Sequence, residues 1–332
     1  MKEFFDTAKS GSYETLKERI DAHADVNSRD NLGRTALMWS AEHGHDASVQ
    51  LLVDAKANVD AQDNDGHTAL IFATASSQAT CVNILLEAKA NVNAADNSGG
   101  TALLWAGSEG DTTCMQLLIN SKADLEAIDD SGQTALILAS IDGHAACAQL
   151  LLDSKANINA RDHMGKTALM WAARKRSFSD KQPLFGTKNT NLTDTNLVES
   201  LQVVNKSHIA CVQLLFDMKA DIGMQDKSNK NALIWAAQNG DAVLLQLLTY
   251  AGATLDRTDR EGRTALYHAA LNGHIECSKL LVDARADIEA QCLGRKTALM
   301  RAAEGGHTAC MELLLDIKSY FEARPFPSIQ VL

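Results

Sequence analysis

Apolar and polar positions alternate along the chain in a paired pattern, clearest from Asp129 to Ile158: DDSGQTALILASIDGHAACAQLLLDSKANI. A polar turn with Asp and Gly leads into a Thr-Ala-Leu triplet. An apolar stretch with helical spacing then ends at Gly-His, and a second ends at Lys-Ala. This spacing predicts two helices per unit. The triplet returns at Thr35, Thr68, Thr101, Thr134 and Thr167, then as Asn231-Ala232-Leu233, and again at Thr264 and Thr297. Successive starts are separated by 33, 33, 33, 33, 64, 33 and 33 residues. A fixed period of roughly 20–50 residues marks stacked repeats.

At these residues the chain resembles the ankyrin repeat, a unit of about 33 residues with a β-turn, two helices and a T-P-L-H-x-A signature. Ala stands in place of the Pro, and the His varies, as Met38, Ile71, Leu104, Ile137, Met170, Ile234, Tyr267 and Met300. The resemblance covers nearly the whole chain. It implies an all-α ankyrin-repeat solenoid of about nine helix-turn-helix units with β-turn or hairpin connections. The expected organisation is one domain over residues 1–316, with an N-terminal cap repeat at 1–30 and a C-terminal tail at 317–332. The long interval places an insertion at 177–206, inside the sixth repeat.

The punctuation has physical causes. Gly33, Gly66, Gly99, Gly132, Gly165 and Gly262 precede the triplet by two residues, where the turn requires positive φ. The triplet's Thr is placed to N-cap the first helix. Gly44, Gly110, Gly143, Gly240, Gly273 and Gly306 follow that helix as left-handed caps, and the histidines at the start of the second helix (His45, His144, His208, His274, His307) resemble the family's structural turn histidine. After the second helix, where the pattern usually has Gly, stand Lys56, Lys89, Lys122, Lys155, Lys219 and Arg285, with one true Gly252. A left-handed non-Gly residue costs about 1 kcal/mol. A cation at a helix C-terminus recovers about 0.3–1 kcal/mol. A ridge of charge open to an acidic partner is the functional alternative.

Composition narrows the function classes. A net charge of −11 argues against nucleic acid or an anionic membrane as partner. No apolar run approaches the ~18 residues of a membrane span, and the start, MKEFFDTAKSG, lacks a signal-peptide core. The expectation is a soluble cytoplasmic or nuclear protein, monomeric, without cofactor or metal. Six of the seven cysteines share one position of the second helix. Helices stack 8–10 Å apart, too far for disulfides, so this ladder reads as small buried hydrophobes in a reducing compartment.

No phosphate loop, HExxH or nucleophile elbow occurs, so no enzyme is expected. Stacked units instead offer an extended binding surface. Four residues after each triplet start stand Trp39, Phe72, Trp105, Leu138, Trp171, Trp235, His268 and Arg301. The next helical turn presents His43, Glu109, Arg174 and Lys175 among other polar residues, and the turn tips present Arg34, His67 and Arg263 together with Lys166, Lys230 and Lys296. Trp and Arg dominate interface energetics, so this strip is the candidate groove for another protein, expected to offer an acidic and apolar segment. Burial of the Trp row between helices is the competing reading. The chain is then a scaffold or adaptor, or a regulatory subunit of a larger complex. Alternatively, resemblance implies a substrate of an asparaginyl hydroxylase at the D-V-N turn, here Asn27, Asn93 and Asn159.

Overall fold

The computed structural model describes residues 2–173 and 207–322. The expected insertion, and the tail beyond residue 322, lie outside the described residues. The chain divides into two compact units, Met1–His163 and Met164–Leu332.

In the first unit, inner helices α1 (Lys2–Ser10), α3 (Ala36–Glu42), α5 (Ala69–Ala75), α7 (Ala102–Glu109) and α9 (Ala135–Asp142) alternate with outer helices α2 (Tyr13–Asp21), α4 (Asp46–Asp54), α6 (Ala79–Glu87), α8 (Thr112–Asn120) and α10 (Ala145–Asp153). Each inner helix touches the inner helix of the next repeat, and each outer helix touches the next outer one. The second unit repeats the plan. Its inner helices are α11 (Ala168–Ala172), α13 (Ala232–Asn239), α15 (Ala265–Leu271) and α17 (Ala298–Glu304). Its outer helices are α12 (residues 207–217), α14 (Ala242–Tyr250), α16 (Ile275–Asp283) and α18 (Thr308–Glu322). No strand occurs among the described residues, only an isolated bridge between Ala95 and Thr101. The fold class is the all-α repeat solenoid that the period predicts.

The short helices start where a side chain satisfies an orphan N–H. Thr101 Oγ1 accepts from Leu104 N and Thr134 Oγ1 from Ile137 N, both at 3.4 Å, and Asn231 Oδ1 does the same for Ile234 N at 3.0 Å. The turn histidines lock repeat to repeat. His45 Nε2 meets Lys9 O at 2.9 Å, His144 meets Ser108 O at 3.0 Å, His274 meets Gln238 O at 3.1 Å and His307 meets Leu271 O at 3.0 Å. The core is the Ala-Leu pair of each triplet up to Leu266 with one outer-helix leucine per repeat, among them Leu52, Leu85, Leu118 and Leu151, all buried. The cysteine ladder lies buried among them, and none of its thiols is in a disulfide. Burial pushes Cys147 up to about 11 and Cys277 up to about 12, so neither is a nucleophile near neutral pH.

α18 runs to Glu322, past the boundary expected at 316, although Lys318 stands 33 residues after Arg285, where the other outer helices have ended.

All six cations in the glycine slot have positive φ, from 63° at Lys219 to 75° at Lys155. This gives a prediction with opposing terms. Lys122→Gly relieves about 1 kcal/mol of left-handed strain but forfeits about 0.3–1 kcal/mol of helix-dipole interaction. Lys122→Ala keeps the strain and forfeits the charge. Urea midpoints of the full chain should rank Gly at or above Lys, and Lys above Ala.

Candidate functional site

The face formed by inner helices and turn tips is organised by an aspartate five residues before each triplet: Asp30, Asp63, Asp96, Asp129 and Asp162 in the first unit, Asp226 and Asp259 in the second. One carboxylate oxygen closes the turn. Asp96 Oδ1 accepts from Ser98 N and Gly100 N, both at 2.8 Å, and Asp129 Oδ1 accepts from Ser131 N at 2.9 Å and Gln133 N at 2.8 Å. The other oxygen reaches the inner helix. It accepts from the indole N–H of Trp39 at 2.9 Å (Asp30), Trp105 at 3.1 Å (Asp96) and Trp235 at 3.0 Å (Asp226). At Asp259 the partner is His268 Nε2, at 2.8 Å. Trp39, Trp105 and Trp235 are therefore fixed by the turns of their own repeats. A charge-assisted bond of this kind is about twice as strong as a neutral one.

The turn-tip cations lie over the rings. The Arg34 guanidinium sits 4.5 Å from the Trp39 ring and 4.2 Å from Phe72 in the next repeat. Lys166 Nζ lies 4.3 Å from Trp171 and 4.1 Å from Trp235. His67 takes the same place between Phe72, at 5.3 Å, and Trp105, at 6.2 Å. Carboxylates complete the set: Arg34 pairs with Glu42 at 2.9 Å and Asp63 at 3.5 Å, and Arg263 with Asp259 at 2.9 Å. His67 and Lys166 are only 5% and 8% exposed.

This alters the expected positive lining. Arg34 and Lys166 face rings of their own chain and Arg263 its carboxylates; a cation against an aromatic face gains up to about 2 kcal/mol when desolvated. Lys296 is more exposed but bound to Glu304 at 2.7 Å. Of the aromatic row, Phe72 and Trp105 are buried at 5% and 6%, while Trp39, Trp171 and Trp235 are half-buried. His43 is exposed, its Nδ1 2.9 Å from Trp39 O, and Glu109 is exposed at the end of α7. Arg174 and Lys175 lie outside the described residues.

Asn27 and Asn93 are exposed, but their Oδ1 atoms accept the next repeat's backbone, from Asn58 N at 2.7 Å and Asp124 N at 2.8 Å. Asn159 is half-buried, its own N–H donating to Asn157 Oδ1 at 3.1 Å. Asp63, Asp65 and His67 bring one potential metal-ligand atom each within 4.8 Å of one another. Asp63 already serves its turn, accepting from Asp65 N at 3.0 Å and His67 N at 2.9 Å.

The aspartate row is the element that sequence reasoning passed over. Its signal was present: an Asp at a constant offset before the triplet and nine residues before each indole. In the last repeat the position holds Cys292.

Asp259 and His268 are expected to make the second unit sensitive to acid. Burial alone would raise the Asp259 carboxyl, but the Arg263 backbone N–H, His268 and the Arg263 side chain hold it below the usual carboxylate range. Burial lowers His268, and Asp259 only partly offsets this. A depressed histidine contributes fully above its unfolded value of about 6.5, and the contribution fades as pH falls towards the folded value. A depressed aspartate contributes above about 3.9 and is lost as pH falls through its folded value. Both losses run in the acid direction. The midpoint for the unit Met164–Leu332 is expected to fall between pH 7.5 and 5. His268→Trp, the residue that pairs with Asp at Trp235, should flatten that interval; urea titrations at several pH values check it.

A family model described as Ankyrin repeats (3 copies) matches the chain three times, over residues 4–96, 103–194 and 200–292. A comparison with curated proteins finds no match. Among the described residues no helix is long and apolar enough to cross a membrane. On the period, the helix pairs and these three matches, the chain belongs to the ankyrin repeat family.

Proposed function

We propose that the chain is a non-enzymatic scaffold or adaptor that holds a partner protein against its inner-helix face. Ankyrin repeats are generally protein–protein interaction modules and typically non-enzymatic. The observation that carries the reading is the rigid lining. Trp39 in the first unit, and separately Trp171 and Trp235 in the second, are held by hydrogen bonds or cation contacts before any partner arrives. A lining ordered in advance loses little side-chain entropy on binding. Beside it, exposed polar positions such as His43, Ser77 and Glu109 vary from repeat to repeat, which is where selectivity would reside.

The test places a photo-crosslinking residue singly at His43, Ser77 or Glu109, and, for comparison, at the exposed outer-helix positions Gln50, Gln116 or Lys279. Adducts in native cells are expected from the inner positions. Adducts confined to the outer helices would overturn the assignment of the binding face.

A further inference from the structure

We propose that the turn tips of the unit Met164–Leu332 receive an acidic segment, an extended stretch of a partner protein carrying aspartate or glutamate side chains. This rests on the protein-binding reading and adds the charge of what is bound. The first argument is a row of cations that the fold leaves outward. Lys227, Arg260 and Arg295 stand at the tips of three successive repeats, and all three are exposed. Among the described residues their side chains make no hydrogen bond or ion pair. They are not the cations that lie over the rings.

The second argument is the balance of all charges there, paired groups included. Arg263 pairs with Asp259 and Glu261, and Lys296 and Arg301 share Glu304. Lys230 donates to the neutral amide oxygen of Gln238 at 2.6 Å, which leaves its charge in place. Asp226 accepts from Ser228 N, Lys230 N and the Trp235 indole. Taken together, the turns 226–230, 259–263 and 292–296 with helices α13, α15 and α17 hold seven Lys and Arg against four Asp and Glu. The surplus is positive in a chain of net charge −11. It arises because Cys292 replaces the turn aspartate of the last repeat, and because α13 and α15 contain no Lys, Arg, Asp or Glu. Two of the four carboxylates, Asp226 and Asp259, are also buried, at 4% and 3% exposure. A surface of one sign along a groove raises both the on-rate and the selectivity for the opposite charge.

Spacing fits a polypeptide. The tips are held in register by their backbones: Arg260 N donates to Ser228 O at 3.0 Å, and Leu293 N to Glu261 O at 2.9 Å. Stacked helices lie about 8–10 Å apart, and an extended chain advances about 3.3 Å per residue, so every third residue of such a chain meets a new repeat.

The experiment measures fluorescence anisotropy on the full chain with two labelled peptides of equal length, one with Glu and one with Gln at every third position. The Glu peptide is expected to bind at least about tenfold more tightly, and to weaken steeply with salt. Replacing Lys227→Gln, Arg260→Gln and Arg295→Gln together should weaken it at least about fivefold. Replacing the exposed cations on and just after the outer helices, Lys219→Gln, Lys279→Gln and Arg285→Gln, changes the net charge equally and should weaken it less than about twofold. Urea midpoints of both triple variants are measured beside binding; the peptide ratio and salt dependence of the unaltered chain provide readings independent of the variants. Equal weakening by the two triple variants, equal binding of the Gln peptide, or no binding of the Glu peptide overturns the proposal. A single-stranded RNA of equal charge that binds as tightly as the Glu peptide also overturns it, in favour of a nucleic acid. A photo-crosslinking residue at Asn272, the position of His43 and Glu109 in this unit, reports the native partner. Crosslinks there to a segment without aspartate or glutamate overturn the acidic partner while leaving the binding face in place; absence of crosslinks from every inner position removes the underlying reading as well.

Discussion

Asp96→Ala is expected to destabilise the unit Met1–His163 by about 3–5 kcal/mol, the range for removing one partner from a buried charged network. The substitution strands three donors at once: Ser98 N, Gly100 N and the Trp105 indole, the last on a side chain only 6% exposed. Asp129→Ala is the internal control. Its turn has the same two backbone donors, but Leu138 occupies the indole position, so its loss should be smaller by about 1–2 kcal/mol. Asp96→Asn keeps an acceptor for the turn and turns an amide donor or a neutral oxygen towards the indole; it should fall between the two. Repeat arrays depart from two-state behaviour, so hydrogen exchange over residues 96–114 is the appropriate measurement beside urea unfolding. Equal losses for Asp96→Ala and Asp129→Ala would show that the indole bond contributes nothing.

Gly110→Ala and Gly252→Ala separate backbone strain from crowding. Both glycines are left-handed, with φ of 75° and 82°. A Cβ on Gly252 meets nothing within 4 Å, whereas one on Gly110 would lie 2.5 Å from His144 Nδ1 in the following repeat. Gly252→Ala should therefore cost about 1 kcal/mol, the strain alone. Gly110→Ala adds about 1–3 kcal/mol of overpacking and displaces a ring whose Nε2 holds Ser108 O at 3.0 Å. The double variant with His144→Ala removes the collision but not the strain. A coupling energy near zero in that cycle would mean the glycine and the histidine are independent, contrary to the packing seen.

Much of the fold was legible because its causes are local. A threonine that caps, a glycine that turns left-handed and an apolar face at helical spacing each act within a few residues. The unit therefore declares itself in the sequence, and so does the helix pair on either side of the long interval at Thr167. The buried cysteine ladder and the turn histidines were legible for the same reason, since a residue repeated at one position serves the stack. The aspartate row was equally periodic, and its role became visible only with the indole nine residues on.

The direction of the turn-tip cations was decided by tertiary structure alone. As a sequence, Arg34 and Lys166 are polar residues at exposed-looking turns. Whether such a side chain points to solvent depends on rings in the neighbouring repeat: Phe72 for Arg34, and Trp235, beyond the insertion, for Lys166. Nothing local encodes that choice. It follows from stacking, which brings two rings to the Arg34 and Lys166 tips, so that contact with the rings outweighs hydration. The sequence by itself determined the repeats and the helices; which charges the binding face keeps for its own chain, and which it leaves outward, came from the neighbours that stacking supplies.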